Sequence, residues 1–272
     1  MVSLSLTYSW PGAMHCHPIV FEQDYSIVRV IILAAGQGKR LLPLTADVPK
    51  ALLDVGGKSL IERQLEAFAA CGVADFVVVT GYGSHRMEIA LESIAERLSL
   101  KITTVFNPFY AVADNLASCW LAREYYRGDV IQVNGDNVFR SDLVSRLVEF
   151  APSPAAVAIN RKAAFDADDM KVMLDGQRLT EIGKNLPNDT VDAEAVGFYV
   201  FRGAGCQAYV KELELAMRDS QGLRRWFPSA VGALAKRMEV LTIPIDGLRW
   251  SEVDYPADLQ AARQLVAQWT EA

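Results

Sequence analysis

Three groups of residues in this chain have the types and spacing to do chemistry on phosphates. The first is Gly36-Gln37-Gly38-Lys39-Arg40, with Lys50 following after a proline-punctuated stretch. Small residues let another molecule approach the backbone closely, and the cations beside them can pair with anionic oxygens. The second is Asp136, directly after Gly135. An Asp after Gly can simply make a turn, but at the end of a buried strand it can also carry catalytic charge. The third is Glu252-Val253-Asp254. Residues two apart on an extended strand project to the same side, and carboxylates held together repel unless protonated or bridged by a cation. A solvated acidic edge strand is the plain alternative. Hard oxygen donors near phosphates suit Mg2+, which is held by one or two carboxylates plus phosphate oxygens. With Asp136 added from elsewhere in the sheet, a Mg2+ site of Asp136, Glu252 and Asp254 is expected.

The elements that must position these groups are legible in the hydrophobic pattern. Val30-Ile31-Ile32-Leu33 is fully apolar, as expected for a parallel strand buried on both faces, and it delivers the glycine loop. The loop is not a P-loop, because Gly36 and Gly38 are too close, and not a dinucleotide fingerprint, because position 41 is Leu. Ser59-x-x-Glu62 reads as a capping box, with Ile61, Leu65 and Phe68 at helical spacing and Gly72 ending the helix. A strand at Phe76–Thr80, the turn Gly81-Tyr82-Gly83, a helix over 84–98 and a strand at Ile102–Phe106 follow. Asp114 is a candidate N-cap for the next helix, and the run Asp129–Asn137 reads as a strand ending in the acid Asp136. Strands alternating with helices imply parallel pairing, with ligands beyond the carboxyl ends of the strands. Gly36, Gly81 and Asp136 all fall there.

The second half changes texture. Ala156–Ile159 reads as a strand, and Met170–Leu174 with Arg178–Ile182 as a hairpin around Asp175-Gly176. A small β-rich lid over about 160–195 is expected. Helices are predicted over Gly205–Arg218 and Leu223–Lys236, a strand over Val240–Ile245, and a closing helix from Pro256 with Leu259, Ala262, Val266 and Trp269 on one face. The fold expected is α/β: a Rossmann-like mixed, mostly parallel sheet flanked by helices. Residues 28–272 form one domain, preceded by an N-terminal arm, 1–27.

Composition narrows the function classes. The 272 residues are 51% hydrophobic and 22% charged, ordinary for a globular chain. A net charge of −6 argues against general nucleic-acid binding, so any polyanion site must be a local cationic pocket. The four cysteines, at 16, 71, 119 and 206, form no CxxC pair and read as reduced residues of a cytoplasmic protein. No apolar run approaches the ~20 residues of a membrane span. Residues 1–27 lack the cationic start and apolar stretch of a secretory signal. His15-Cys16-His17 offers metal donors, but adjacent residues rarely converge on one ion.

Leu33-Ala34-Ala35-Gly36-x-Gly38-x-Arg40-Leu41-x-Pro43-Leu44-Thr45, then Pro49-Lys50-x-Leu52-Leu53-x-Val55-x-Gly57-Lys58, resembles the signature of the sugar-phosphate nucleotidyltransferase superfamily. The resemblance implies that Leu33, Ala34, Ala35, Gly36, Gln37, Gly38 and Lys39, with Gly81 and Tyr82, line the nucleotide. It implies catalytic roles for Arg40, Lys50 and Asp136, and direct attack of a substrate phosphate on a nucleoside triphosphate, with no protein nucleophile. Asp168-Asp169-Met170-Lys171-Val172, Glu181-Ile182-Gly183-Lys184, and Trp250-x-Glu252-x-Asp254 with Asp258-Leu259 resemble phosphocholine cytidylyltransferases and their phosphonate-handling relatives, over about Val28 to Leu265. That likeness implies CTP as donor and a small amino-alcohol phosphate or aminoalkyl phosphonate as acceptor. It also puts Asn115 and Ser118 near the nucleotide, against the alternative that this segment merely starts a helix. Asp169, Lys184, Glu194 and Trp226 are the acceptor-binding candidates, with Asp168, Tyr199 and Phe227 beside them, since a desolvated cation gains from aromatic faces and carboxylates. The aromatics serve equally well as core. Two alternatives stand: a sugar 1-phosphate nucleotidyltransferase using UTP, CTP or dTTP, and a catalytically silent nucleotide-binding regulatory subunit. A homodimer is admissible.

Overall fold

A computed structural model of the chain describes residues 28–150 and 153–269. The N-terminal arm, with His15-Cys16-His17, lies outside the described residues. The chain runs through β1 (Val28–Leu33), α1 (Leu60–Ala69), β2 (Asp75–Thr80), α2 (Ser84–Leu98), β3 (Lys101–Phe106), α3 (Asn115–Leu121), β4 (Asp129–Asn134) and β5 (Asn137–Phe139). It continues with α4 (Ser141–Val148), β6 (Ala155–Asn160), β7 (Lys171–Asp175), β8 (Arg178–Gly183), β9 (Ala193–Arg202) and α5 (Ala204–Met217). The last elements are α6 (Pro228–Ala235), β10 (Leu241–Pro244), β11 (Trp250–Glu252) and α7 (Pro256–Ala267).

Nine strands form one sheet in the order β3-β2-β1-β4-β9-β6-β10-β8-β7, and β5 pairs with β11 in a separate ribbon. From β3 to β4 all pairs are parallel. β9 runs antiparallel between β4 and β6, so the sheet is mixed. Alternate residues of β1 serve opposite layers. Val30 and Ile32 pack with Leu65 and Phe68 of α1 and Leu91 of α2, while Ile31 packs in the cluster holding Leu116 of α3 and Tyr209 of α5. Burying a side chain of this size contributes roughly 1.5–3 kcal/mol. A third cluster, Leu41, Leu53, Leu60, Val253 and Leu259, joins the glycine loop's flank to α7 and so to the acidic pair.

Local grammar explains most boundaries. Ser59 Oγ accepts the Glu62 N–H at 3.3 Å at the start of α1. The Glu62 carboxylate goes to Arg97 instead of closing the capping box. Gly72 ends that turn with φ +79°. The predicted helix from Leu223 begins only at Pro228, where proline fits the first helical turn. Residues 223–227 are instead bound to the start of α3. The Leu223 carbonyl accepts the Asp114 N–H at 2.7 Å, and Asn115 Oδ1 accepts the Phe227 N–H at 2.9 Å. This holds Trp226 at the edge of the carboxyl-end cleft. Asp114 makes no side-chain cap. The hairpin turn falls at Gly176-Gln177, one residue later than expected, because Asp175 pairs with Arg178. The segment 160–195 supplies the loop 161–170 and the hairpin β7–β8. Its strands bond to β10 and β9 within the nine-stranded sheet.

Candidate active site

The glycine loop leaves β1 between two neighbours. The Ala34 N–H donates to the Val79 carbonyl at 2.9 Å, and the Ala35 carbonyl accepts the Tyr82 N–H at 3.0 Å. At Gly38 the backbone turns left-handed, φ +73°, and a Cβ there would stand 2.9 Å from Lys50 Cβ. Glycine is therefore required twice, for the conformation and for the approach of Lys50. Gly38→Ala is expected to destabilise the fold by about 1–3 kcal/mol. It should also lower kcat about 100-fold by shifting Lys50, read by thermal melting and steady-state rates; a wild-type kcat would detach Gly38 from the site.

Lys50 is the centre of the charge cluster. Its Nζ lies 3.0 Å from Asp136 Oδ2 and 2.5 Å from Asp254 Oδ1. Burial alone would pull the ammonium down, but the two carboxylates outweigh it and push Lys50 up to about 12. Arg40 Nη1 lies 3.2 Å from Asp254 Oδ2 and 3.6 Å from Asp168 Oδ2, with its guanidinium over the Tyr255 ring at 5.1 Å. Glu252 and Asp254 both face the cleft, while Val253 between them is buried and its N–H donates to the Asp136 carbonyl at 3.1 Å. Glu252 keeps access to water through the open cleft. Even so, the protein packed around its carboxyl, followed by the charges of Asp136 and Asp254, pushes it up to about 8.

Among the described residues no three His, Cys, Asp or Glu side chains converge closely enough to hold an ion by themselves. Lys50 sits in the gap between Asp136 and Asp254. The donor set nevertheless fits a hard cation shared with phosphate oxygens, because Asp136 Oδ1 is buried and accepts no hydrogen bond.

Three hollows adjoin one another here: the two larger share Arg40 and Asp254, and the smallest shares Asn115 and Trp226 with the largest. One of about 240 Å3 is lined by Leu33, Ala35, Gly36, Asn115 and Ser118, with Asn107, Tyr110 and Trp226. A second, about 500 Å3, is lined by Gln37, Gly38, Lys39, Arg40 and Tyr82, with Asp254. The largest, about 540 Å3, contains Asp136, Glu252 and Asp254 with Asp168, Asp169, Lys184, Glu194, Tyr199, Trp226 and Phe227. Of the expected nucleotide residues, Ala34 and Gly81 stand behind the wall. Ala34 backs Gly135, and Gly81 packs against the Ala35 carbonyl and Tyr110.

In the largest hollow Lys162 neutralises Asp169 at 2.8 Å and Glu194 at 2.7 Å. Burial raises Glu194 against the pull of Lys162, whereas hydrogen bonds from Lys162 outweigh burial and lower Asp169. Lys184 Nζ lies 4.1 Å over the Trp226 ring and 3.5 Å from Asp168. Tyr255 donates its hydroxyl to Asp168 at 3.1 Å.

Asn107, Tyr110, Asn134, Lys162 and Tyr255 also line these hollows and were not singled out from the sequence. Asn107-Pro108 at a strand end was a usable signal, since such dipeptides mark loops; Asn107 Nδ2 donates to Ser118 Oγ at 3.0 Å. Lys162 and Tyr255 carried none.

Residues 30–234 match the model of the MobA-like NTP transferase domain. Over 256 residues the chain is 25% identical to the CTP:phosphoglutamine cytidylyltransferase of Campylobacter jejuni, covering 86% of this chain and 98% of that protein. It is 27% identical over 241 residues to the bifunctional IPC transferase and DIPP synthase of Aquifex aeolicus, covering 88% of this chain and 51% of that protein. The chain thus spans about half the length of several curated relatives that it matches. The solved CTP:phosphocholine cytidylyltransferase from Streptococcus pneumoniae superposes with a TM-score of 0.70 at 23% identity, over 88% of this chain and 99% of that one. At that identity the superposition speaks for the shared nucleotidyltransferase fold. With its glycine loop, Lys50 and Asp136 inside the matched span, the chain belongs to the MobA-like NTP transferase domain family and has the nucleotidyltransferase fold.

Proposed function

We propose that the protein is a cytoplasmic, Mg2+-dependent cytidylyltransferase, moving CMP from CTP to a small phosphocholine-like phosphomonoester or phosphonate with release of pyrophosphate. The observation that carries this reading is a row of three adjoining hollows, the two larger of which share Arg40 and Asp254 beside the Lys50–Asp136 pair. The smallest takes the base and ribose, beside Gly36 and Ser118. The second takes the triphosphate, beside Gly38, Lys39 and Arg40. The largest takes the acceptor. Its wall carries more acids than bases, and Lys184 already rests on the Trp226 face. A face that holds one ammonium suits an acceptor with another.

In the reaction a phosphate or phosphonate oxygen of the acceptor attacks the α-phosphorus of CTP. The new O–P bond forms as the bond to the β-phosphate oxygen breaks, and pyrophosphate carries away the electron pair. Arg40 and Lys50 hold phosphate oxygens, and Lys50, pushed up to about 12, stays charged across the working pH range. Lys184 steadies the acceptor phosphate. Asp136 and Asp254, with Glu252 beside them, would hold Mg2+, which when bound neutralises charge developing on the transferring and leaving phosphates. No side chain needs to become covalently attached.

A pyrophosphate-release panel tests this. CTP, UTP and dTTP are each paired with phosphocholine, phosphoethanolamine, 2-aminoethylphosphonate and hexose 1-phosphates. Release with CTP and an amino-bearing acceptor is expected, and EDTA should abolish it. Preference for UTP and a hexose 1-phosphate would replace the acceptor reading, and no release with any pair would leave only a regulatory subunit.

A further inference from the structure

Asp136 sits on the turn Asn134-Gly135-Asp136-Asn137 between β4 and β5, and that turn is gripped from three sides. The Gly135 N–H donates to the Leu33 carbonyl at 3.0 Å, and the Asp136 carbonyl accepts the Val253 N–H at 3.1 Å. The third grip is a side chain. Gln64, on α1 and with no solvent exposure, donates its Nε2 to the Asn134 carbonyl at 3.0 Å and to the Asn137 carbonyl at 2.7 Å. One amide group thus spans the turn and pins its two ends.

We infer that Gln64 is a positioning residue for nucleotidyl transfer, fixing the turn so that the Asp136 carboxylate is aimed at the cleft. It rests on the reading of Asp136 as catalytic. The chemistry of the site admits few substitutes. Two carbonyl oxygens face one side chain in a dry space, so a group with two N–H bonds is required. A carboxylate there would face both oxygens with its own lone pairs. The orientation of the amide follows from the same fact, since a flipped Oε1 would point at two carbonyls; Oε1 itself accepts no hydrogen bond. Methionine matches the shape and lacks both donors. The rest of α1 gives no reason for a polar residue here, because Ile61, Leu65 and Phe68 around it are fully buried and apolar.

The test is a pair of variants, Gln64→Met and Gln64→Glu, each also made with Asp136→Asn. Partners that orient a metal-binding group typically change affinity or rate 10–100-fold. Gln64→Met is therefore expected to lower kcat about 10–100-fold with the KM for CTP within about twofold, because the base hollow is built from other elements. Mn2+ affinity read by electron paramagnetic resonance, without turnover, should weaken by a similar factor. On the Asp136→Asn background Gln64→Met should cost almost nothing further, since positioning matters only while the carboxylate is present. Full additivity in that cycle, or unchanged Mn2+ affinity, would overturn the inference. So would loss of the folded state in both Gln64 variants, which would leave Gln64 a residue of stability alone. If Asp136→Asn by itself keeps the wild-type rate, the reading of the site has failed and the inference falls with it; that outcome is distinguishable because it needs no Gln64 variant.

Discussion

Asp136→Asn is expected to leave the fold intact and to lower kcat about 100- to 1,000-fold, the usual effect of removing one preorganised charged partner of a transition state. The fold survives because the turn is held through its main chain. Gln64, the Leu33 carbonyl and the Val253 N–H all bind backbone groups that asparagine retains. Only the side-chain pair with Lys50 at 3.0 Å changes, and Asp254 remains beside that ammonium at 2.5 Å. What disappears is a carboxylate with one oxygen buried and unspent, at the place proposed for the cation and the triphosphate. Circular dichroism and rates at saturating CTP check the two halves separately. A near-wild-type rate would remove Asp136 from the site.

Lys50→Met should cost both rate and stability. The variant leaves Asp136 and Asp254 facing each other with Glu252 nearby and no ammonium between them. Breaking a buried pair costs about 3–5 kcal/mol, and here the partly exposed carboxylates reduce that to about 1–3 kcal/mol. The sign with pH follows from the shift. Lys50 is raised above its ordinary value, so its stabilisation is fully present below about 10 and is lost as pH rises through about 12. The difference in melting temperature between wild type and Lys50→Met should therefore shrink at strongly alkaline pH, as Lys50 loses its proton. In activity, losing a phosphate partner and the separator of the carboxylates should lower kcat/KM at least 100-fold. Lys50→Arg should not restore it, because a planar fork does not replace a point ammonium lodged against Gly38. Recovery by arginine would mean that only the charge matters.

How much of this was legible in the sequence depends on whether the signal was local. The strand–loop–helix unit from Val28 to Ala69 was, since apolar runs, glycines and the Ser59 cap each act within a few residues. The opposite faces of Val253 and its acidic neighbours followed from strand alternation. The motifs of the resemblance hold Arg40, Lys50 and Asp254, while Asp136 was read from its place at a strand end. What stayed hidden was decided by tertiary contacts. Nothing in Gln64 or Tyr255 marks which carbonyl or carboxylate it will meet across the fold. The start of α6 moved to Pro228 because residues 223–227 bind α3. Lys50 between the two acids could not be placed either, since spacing brings carboxylates together without saying which cation separates them. The wall of the largest hollow joins Lys162, Asp168 and Asp169 of one loop to Lys184 of another and Glu194 of β9, and their pairing is a matter of packing.

The most direct measurement is label transfer from CTP carrying 32P at the α-position, incubated with phosphocholine and Mg2+. The label is expected in a new CDP-choline product, its two phosphorus atoms joined by a P–O–P anhydride, with unlabelled pyrophosphate released in equal amount and transfer slowed about 100- to 1,000-fold in Asp136→Asn. Label that stays in CTP with every small phosphorylated acceptor, or transfer that persists undiminished in Asp136→Asn, would contradict the assignment of this cleft as a nucleotidyl-transfer site.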